Sequence, residues 1–434
     1  MRIHLSALGC RLNEAELEQW ASSFAEAGDL ITTNVDDADV MVMNTCAVTK
    51  EAVRKSRQKL QKLQRSNPSA KLVVSGCYSE LADDTALSEL GVDLIVPNTK
   101  KDFLVPLTRA TFNQPTMPQS ATLPAETALF TRNRHRAFIK IQDGCRYRCT
   151  FCIVTVARGA ERSRSIEDIV SEVRRLNADG IQEIVLTGVH VGGYGSDLDA
   201  DLESLVKALL RDTAIPRIRF ASVEPWDLST GFLKLFDNAR VQPHMHLPLQ
   251  SGSDTVLRRM ARRCKTADFA SLTQALRQAV PNFNITTDII AGFPGETEEE
   301  WQTSLDFIAT QGFGHIHAFT YSEREGTKAA TLPNPVPMAI RQERSRQLHE
   351  LGARLKAEQL SKSVGETVNV LWERGKPVAE DDNSAGSDKP LNKFQGYTPN
   401  YQRVYTLSRD DLANRILPTR LLAVESGKLL GSTL

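Results

Sequence analysis

The chain has 434 residues, and its 53 Lys and Arg balance 53 Asp and Glu, for a net charge of zero. That length exceeds one ordinary core and predicts two or three domains, and the charge balance excludes a global basic field, so a nucleic-acid partner must be met by local patches. The N-terminus turns polar too soon for a secretory signal and no apolar run approaches the roughly 20 residues that span a bilayer, so the expected location is the cytoplasm with no membrane partner. In that reducing compartment the seven cysteines are expected to bind metal or catalyse rather than form disulfides.

Residues 1–110 alternate short apolar runs with helical patterns. IHLSAL (3–8) reads as a strand and NEAELEQWASSFAEAG as a helix. VMVMNT (40–45) is a second strand, followed by a basic helix over 52–65, then LVVSG (72–76) and LIVPN (94–98). Strands separated by helices predict an α/β domain with a parallel sheet, whose ligands gather beyond the strands' carboxyl ends. Cys10, Cys46 and Cys77 each lie just past such an end. Residues 105–135 carry four prolines and no regular periodicity, and the linker is set at 111–135, ending in the basic run RNRHR.

From 136 to 362 a longer alternation begins, with strand-like runs FIKIQ (138–142), EIVLTG (183–188), RIRFAS (217–222), HMHLPL (244–249), NITTDIIAG (284–292) and HIHAFTYS (315–322). Helical patterns fill the gaps, so the central domain is predicted to be a (βα)6 partial TIM barrel with its active site on the face of the βα loops. After a helical stretch at 338–362, residues 363–434 read as a small all-β module interrupted by the polar loop 379–390.

The strongest chemical signal is GCRYRCTFC, which places Cys145, Cys149 and Cys152 in the first βα loop. Thiolates are the preferred ligands of iron–sulfur clusters, whereas structural zinc takes four ligands and no nearby His or fourth Cys completes a set here. Three thiolates hold a 4Fe–4S cube by three irons and leave the fourth open.

The run IKIQDGCRYRCTFCIVTVARGAERSR resembles the radical S-adenosylmethionine enzymes. The resemblance implies that the open iron chelates S-adenosylmethionine and that an electron from the cluster cleaves it to a 5′-deoxyadenosyl radical. It further implies contacts to that cofactor from Gly188 in LTGVHVG, from Gly292 in IIAGFPGETEEE, and from Glu224 and Gln250 at strand ends. Arg158, Arg162 and Arg164 are candidates for its carboxylate or for RNA phosphate.

LGCRLNEAE, MNTCAVTKEAVRKSRQ and VVSGCYSE, followed by HLPLQSGSDTVLRRM, TTDIIAGFPGETEEEW and HAFTYSEREGTKAA, resemble the methylthiotransferases over nearly the whole chain. The resemblance implies two 4Fe–4S clusters: Cys145, Cys149 and Cys152 as catalytic ligands of the radical cluster, and Cys10, Cys46 and Cys77 as ligands of an auxiliary cluster carrying the inserted sulfur. It also implies a tRNA anticodon stem-loop as partner, a terminal TRAM module, an electron donor such as flavodoxin or ferredoxin, and a sulfur donor the sequence leaves unnamed. TGVHVGGYG, RFASVEPWD and TCAVTKEAVRKSRQ look most like the branch acting at carbon 2 of threonylcarbamoyladenosine beside the anticodon. The alternatives are isopentenyladenosine in tRNA, an aspartate of a ribosomal protein, and, in a different class, an iron–sulfur tRNA-binding or redox-sensing protein.

The sequence departs from the family at Thr155 and at Glu323 and Glu325 in YSEREGT, where prolines are usual. Arg54, Lys55, Arg57, Lys59, Lys62 and Arg65 form a candidate phosphate-binding face, and Tyr397, Tyr401 and Tyr405 either stack on bases or belong to the β module. His244 and His246 face one side of a strand and are read as polar packing near the cofactor rather than as metal ligands; Cys264 belongs to neither cysteine set.

Overall fold

The computed structural model describes residues 1–112, 135–229, 231–378 and 390–434. The first unit runs β1 (Arg2–Ala7), α1 (Arg11–Glu26), β2 (Leu30–Thr32), β3 (Val40–Thr45), α2 (Lys50–Ser66), β4 (Lys71–Gly76), α3 (Cys77–Leu81), α4 (Asp84–Ser88), β5 (Leu94–Ile95) and α5 (Leu104–Phe112). Its sheet is parallel throughout in the order β2-β1-β3-β4-β5. All six residues of β3 are buried, as expected for a central parallel strand covered on both faces. Ile3, Val42 and Val73 pack against Leu17, Trp20 and Phe24 of α1, while Met41, Met43 and Val74 pack against Leu60 and Leu63 of α2.

The sequence reading missed β2, a three-residue edge strand too short to show a period. It also placed residues 105–112 in a structureless stretch, but they form most of α5, with Leu104, Val105 and Thr108 buried against the sheet. Pro106 sits in that helix's first turn, where no intrahelical N–H bond is lost. Most of the predicted linker and the polar loop lies outside the described residues.

The second unit contains β6 (Arg136–Lys140), β7 (Gln142–Asp143), α6 (Val154–Arg158), β8 (Arg162–Ser163), α7 (Ile166–Ala178), β9 (Glu183–Thr187), α8 (Leu202–Asp212), β10 (Arg217–Phe220), β11 (His244–His246), α9 (Asp254–Arg259), α10 (Thr266–Ala279), β12 (Asn284–Ala291), α11 (Glu298–Thr310), β13 (His315–Thr320) and α12 (Met338–Lys362). β10-β9-β6 and β11-β12-β13 are parallel triplets joined by parallel bridges Ile218↔Val241 and Ser222↔His246. The result is an open barrel of six parallel strands. Strand alternation divides its two faces: Ile184, Leu186, Met245, Leu247, Ile285 and Ile289 pack outward under the helices. Lys140, Glu183, Arg219, His244 and Thr286 occupy the alternate positions and make the concave face polar.

The last unit is a small barrel of β14 (Thr367–Trp372), β15 (Lys376–Pro377), β16 (Asn392–Tyr397), β17 (Arg403–Ser408), β18 (Ile416–Glu425) and β19 (Lys428–Thr433), closed by pairing of β14 with β16. Its 397–402 turn plugs the N-terminal end of the central barrel. Tyr397 and Tyr401 stack with centroids 4.8 Å apart, Arg136 lies 4.7 Å over Tyr397 and Arg219 4.5 Å over Tyr401, and Arg219 donates to the Pro399 carbonyl at 3.0 Å. Of the three tyrosines considered for base stacking, these two are therefore committed to a domain interface. Tyr405 bonds Glu425 beneath Lys393 on the outer surface. Tyr401→Ala is expected to loosen this joint by about 2–3 kcal/mol through lost ring packing, seen as faster proteolytic release of the terminal module.

Candidate active site

Three loops of the first unit bring Cys10, Cys46 and Cys77 to one sheet edge. Cys10 is the N-cap of α1, Cys46 follows β3, and Cys77 opens α3. Gly9, at φ +113°, lets the first loop lie on the second: a Cβ there would stand 2.7 Å from Cys46 Cβ and 2.8 Å from its Sγ. Ser56 of α2 pins the Cys46 loop, accepting from its N–H at 3.2 Å and donating to its carbonyl at 2.9 Å. Burial pushes the Cys46 thiol up and the nearby Arg158 guanidinium offsets only part of that, while Cys10 sits exposed at the start of α1.

The tight set follows β6 in the barrel's first loop. Thr155 donates to the Tyr147 carbonyl at 2.8 Å and braces that loop, so the departure from proline is replaced by a hydrogen bond. Behind Cys145, His190 is clamped between Glu161 at 2.5 Å and Asp227 at 2.6 Å. Burial alone depresses its pKa, but the two carboxylates outweigh burial and raise it, which favours an imidazolium donating from both nitrogens. Tyr147, inside the cysteine loop, donates to Asp227 at 2.8 Å. His190→Ala leaves two carboxylates facing each other behind the loop, and reconstituted protein is expected to lose iron on the order of 10-fold faster; timed chelation reads this. Sequence reasoning missed His190, Glu161 and Asp227 as a unit because they come from three separate loops.

Arg158, at the end of α6, joins the two sets. Its Nε donates to Cys77 Sγ at 3.4 Å. Its other nitrogens bond Glu16 at 3.0 Å, Asp143 at 3.0 Å and Asn13 at 2.9 Å. Glu16 also receives Lys101 at 2.6 Å and Lys140 at 3.1 Å. These three cations face two carboxylates, leaving one positive charge beside the Cys77 sulfur. The sequence reading offered Arg158 to a cofactor carboxylate or a phosphate; it is instead buried at the domain junction, its donors taken by protein groups.

The remaining predicted contacts divide. Glu224, just past β10, pairs with Arg262 at 2.7 Å, and Arg262 reaches Cys149 Sγ at 3.9 Å, so both stand beside the tight set. Gly188 abuts the carbonyl and side chain of Gln142. Gln250, held at φ +78°, bridges β12 through Asp288 and Ile290. Gly292 faces Arg341, whose Cγ would lie 2.4 Å from an added Cβ, so packing on α12 accounts for that glycine. Arg164 is taken by Glu172 at 2.6 Å and the Lys140 carbonyl at 2.8 Å, and Arg162 is exposed. Arg262, not singled out in the sequence, is the guanidinium that reaches the tight set.

Other expectations resolve similarly. Glu323 ties the units together, accepting from Arg341 at 2.8 Å and Lys50 at 3.3 Å, which explains the acidic residue in YSEREGT. Glu325 is exposed. Cys264 is buried in the barrel core, with its thiol pushed up to about 12 by burial. On α2, Leu60 and Leu63 turn inward, Arg54 pairs with Glu51 at 2.6 Å and Lys59 reaches the Ala7 carbonyl at 3.2 Å. Arg57, Lys62 and Arg65 remain on the outward face, the last two lining a shallow groove.

Neither thiol set is gathered as tightly as a single ion requires. Among the described residues, the three-residue groups whose ligand atoms gather within 4.8 Å are Cys145–Glu161–His190 and His246–Asp288–His317; neither cysteine triad closes that far. A four-iron cube needs its thiolates further apart than one ion does. Burial holds the Cys145 and Cys152 thiols at about 12 and about 11, so iron displaces protons there on binding.

Comparison with known proteins agrees. Residues 139–308 match the radical SAM superfamily, and residues 2–97 match the family described as uncharacterized protein family UPF0004. A radical S-adenosylmethionine methyltransferase, TsrM from Kitasatospora setae, superposes with a TM-score of 0.56 at 14% identity over 89% of this chain and 79% of its own, a likeness of fold. The threonylcarbamoyladenosine tRNA methylthiotransferase MtaB of Bacillus subtilis is 35% identical over 96% of this chain and 92% of its own length. The Thermotoga maritima protein of that name is 32% identical over 86% of each chain. A tRNA-2-methylthio-N(6)-dimethylallyladenosine synthase of Staphylococcus aureus is 30% identical over 99% of this chain and 84% of its own. Two cysteine triads on adjoining domains, with a match that spans both, make this chain a member of the radical S-adenosylmethionine methylthiotransferase family.

Proposed function

We propose that the protein replaces the C–H bond at carbon 2 of N6-threonylcarbamoyladenosine, beside the anticodon of tRNA, with C–SCH3. The observation that carries this reading is the convergence of two three-thiol sets at one junction, with Arg158 on the helix after the tight set touching Cys77 of the other. When bound, the clusters and S-adenosylmethionine supply reductive cleavage, hydrogen abstraction and the sulfur to be inserted. Cys145, Cys149 and Cys152 are the proposed ligands of the first cluster, and Cys10, Cys46 and Cys77 of the second. Glu224 and Gln250 would take the cofactor's hydroxyls and Gly188 its amino group, with Arg262 rather than Arg164 toward its carboxylate. The outward bases of α2 would meet the stem-loop backbone.

The substrate follows the two MtaB relatives, which exceed the dimethylallyladenosine synthase in identity. No helix among the described residues is long and apolar enough to cross a membrane, which accords with a cytoplasmic place beside tRNA. Anaerobic reconstitution tests the reading. About eight irons per chain and a methylthio product from a threonylcarbamoyl-bearing stem-loop, by nucleoside mass spectrometry, are expected. Intact S-adenosylmethionine under reducing conditions would refute it.

A further inference from the structure

The concave face of the barrel holds a polar group that the cluster chemistry does not use. His246 on β11, Asp288 on β12 and His317 on β13 bring their nitrogen and oxygen atoms within 4.8 Å of one another. Thr286 fixes the first ring, its hydroxyl lying 2.9 Å from His246 Nδ1, and His246 Nε2 faces Asp288 Oδ1 at 3.2 Å. His317 packs edge-on to His246 with centroids 5.4 Å apart and to His315 at 4.5 Å. Its ring nitrogens have no hydrogen-bond partner among the described residues, and the residue is exposed. Asp288 stays partly open and feels the charge of Arg262, which touches Cys149. Beyond β13 the chain runs to Arg324, which feels Cys46 and whose buried Nε is unpartnered. The group thus spans β11, β12 and β13, with Asp288 in the field of Arg262 beside the tight set.

We propose, resting on the substrate assigned above, that Asp288 and His317 read the N6 substituent of the base, with His246 positioning Asp288. A threonylcarbamoyl group offers N–H and O–H donors to the Asp288 carboxylate. Its carbonyl and carboxylate oxygens accept from a His317 N–H. Partial desolvation against the strands and the neighbouring His246 ring hold His317 toward its neutral form, with one donor and one acceptor nitrogen. A dimethylallyl group has neither donor nor acceptor. Seating it would strip water from Asp288 and His317 without replacing a bond, and sites built on such bonds reject the apolar analogue by about 10⁴-fold.

The test uses reconstituted full-length protein and three anticodon stem-loops carrying threonylcarbamoyladenosine, dimethylallyladenosine or plain adenosine. Dissociation constants come from fluorescence anisotropy, and total metal from elemental analysis. His317→Leu and Asp288→Asn are expected to weaken the threonylcarbamoyl stem-loop by at least about 10-fold, without matching loss for plain adenosine. His317→Gln, which keeps a donor, should recover part of the loss. Equal affinities in wild type and His317→Leu would overturn the inference while methylthiolation of the threonylcarbamoyl stem-loop by wild type leaves the proposed function standing. Zinc or another divalent ion held stoichiometrically by wild type and lost in His317→Leu would also overturn it, making the group a metal site. Wild type that binds but never methylthiolates that stem-loop would instead sink the substrate assignment.

Discussion

Cys149→Ala is expected to reduce cleavage of S-adenosylmethionine to that of protein without clusters, while Cys46→Ala keeps the cleavage and loses methylthiolation. Both variants should hold about four irons per chain where the wild type holds about eight. The asymmetry follows from position. Cys149 lies in the barrel loop beside Arg262 and Glu224, where the cofactor is proposed to bind. Cys46 belongs to the other domain, and its own backbone is held by Ser56 of α2. Removing its thiol therefore leaves the barrel loop, its His190 clamp and the cleaving site in place. Iron analysis and chromatography of 5′-deoxyadenosine, with nucleoside mass spectrometry on the same samples, separate the two steps. Full methylthiolation by Cys46→Ala would show that the scattered cysteines do not deliver sulfur.

Much of this site was legible because its signals are local. Three cysteines within eight positions mark a candidate ligand set without a fold, and the apolar runs place each scattered cysteine beyond a parallel strand. The six barrel strands were readable for the same reason, since each is a short apolar run between helical patterns. Residues whose roles come from distant partners were not legible. Arg158 finds Glu16, Cys77 and Asn13 at separations of 142, 81 and 145 positions, so sequence spacing presents it only as one arginine in a basic run. Tyr397 and Tyr401 likewise look available for bases until the barrel end they plug is in view. Glycine signals are ambiguous in a different way: Gly292 fits a ligand loop by pattern, and its φ of +75° and close approach to Arg341 also call for glycine there.

Arg158→Gln should be the most damaging single change outside the cysteines. The guanidinium is buried and makes hydrogen bonds to four residues from three segments. Glutamine cannot span them, so Asn13 Oδ1 loses its guanidinium donor, and Asp143 and Glu16 each lose one of theirs, in a place water does not reach. Breaking a buried ion pair by removing one partner costs about 3–5 kcal/mol. Because these bonds cross the domain boundary, the loss should uncouple the first unit from the barrel, giving two calorimetric transitions in place of a concerted one. The surplus positive charge beside Cys77 also disappears, along with a hydrogen bond to its sulfur. Both changes favour the oxidised cluster, so the auxiliary potential is expected to fall. Arg158→Lys separates the two effects: it restores the charge and most of the potential but not the fork that holds Glu16, Asp143 and Asn13 together. Calorimetry of the metal-free chain measures the first effect, and a redox titration followed by electron paramagnetic resonance measures the second. A single transition at the wild-type temperature in Arg158→Gln, with an unchanged auxiliary potential, would mean that the junction is held by other contacts.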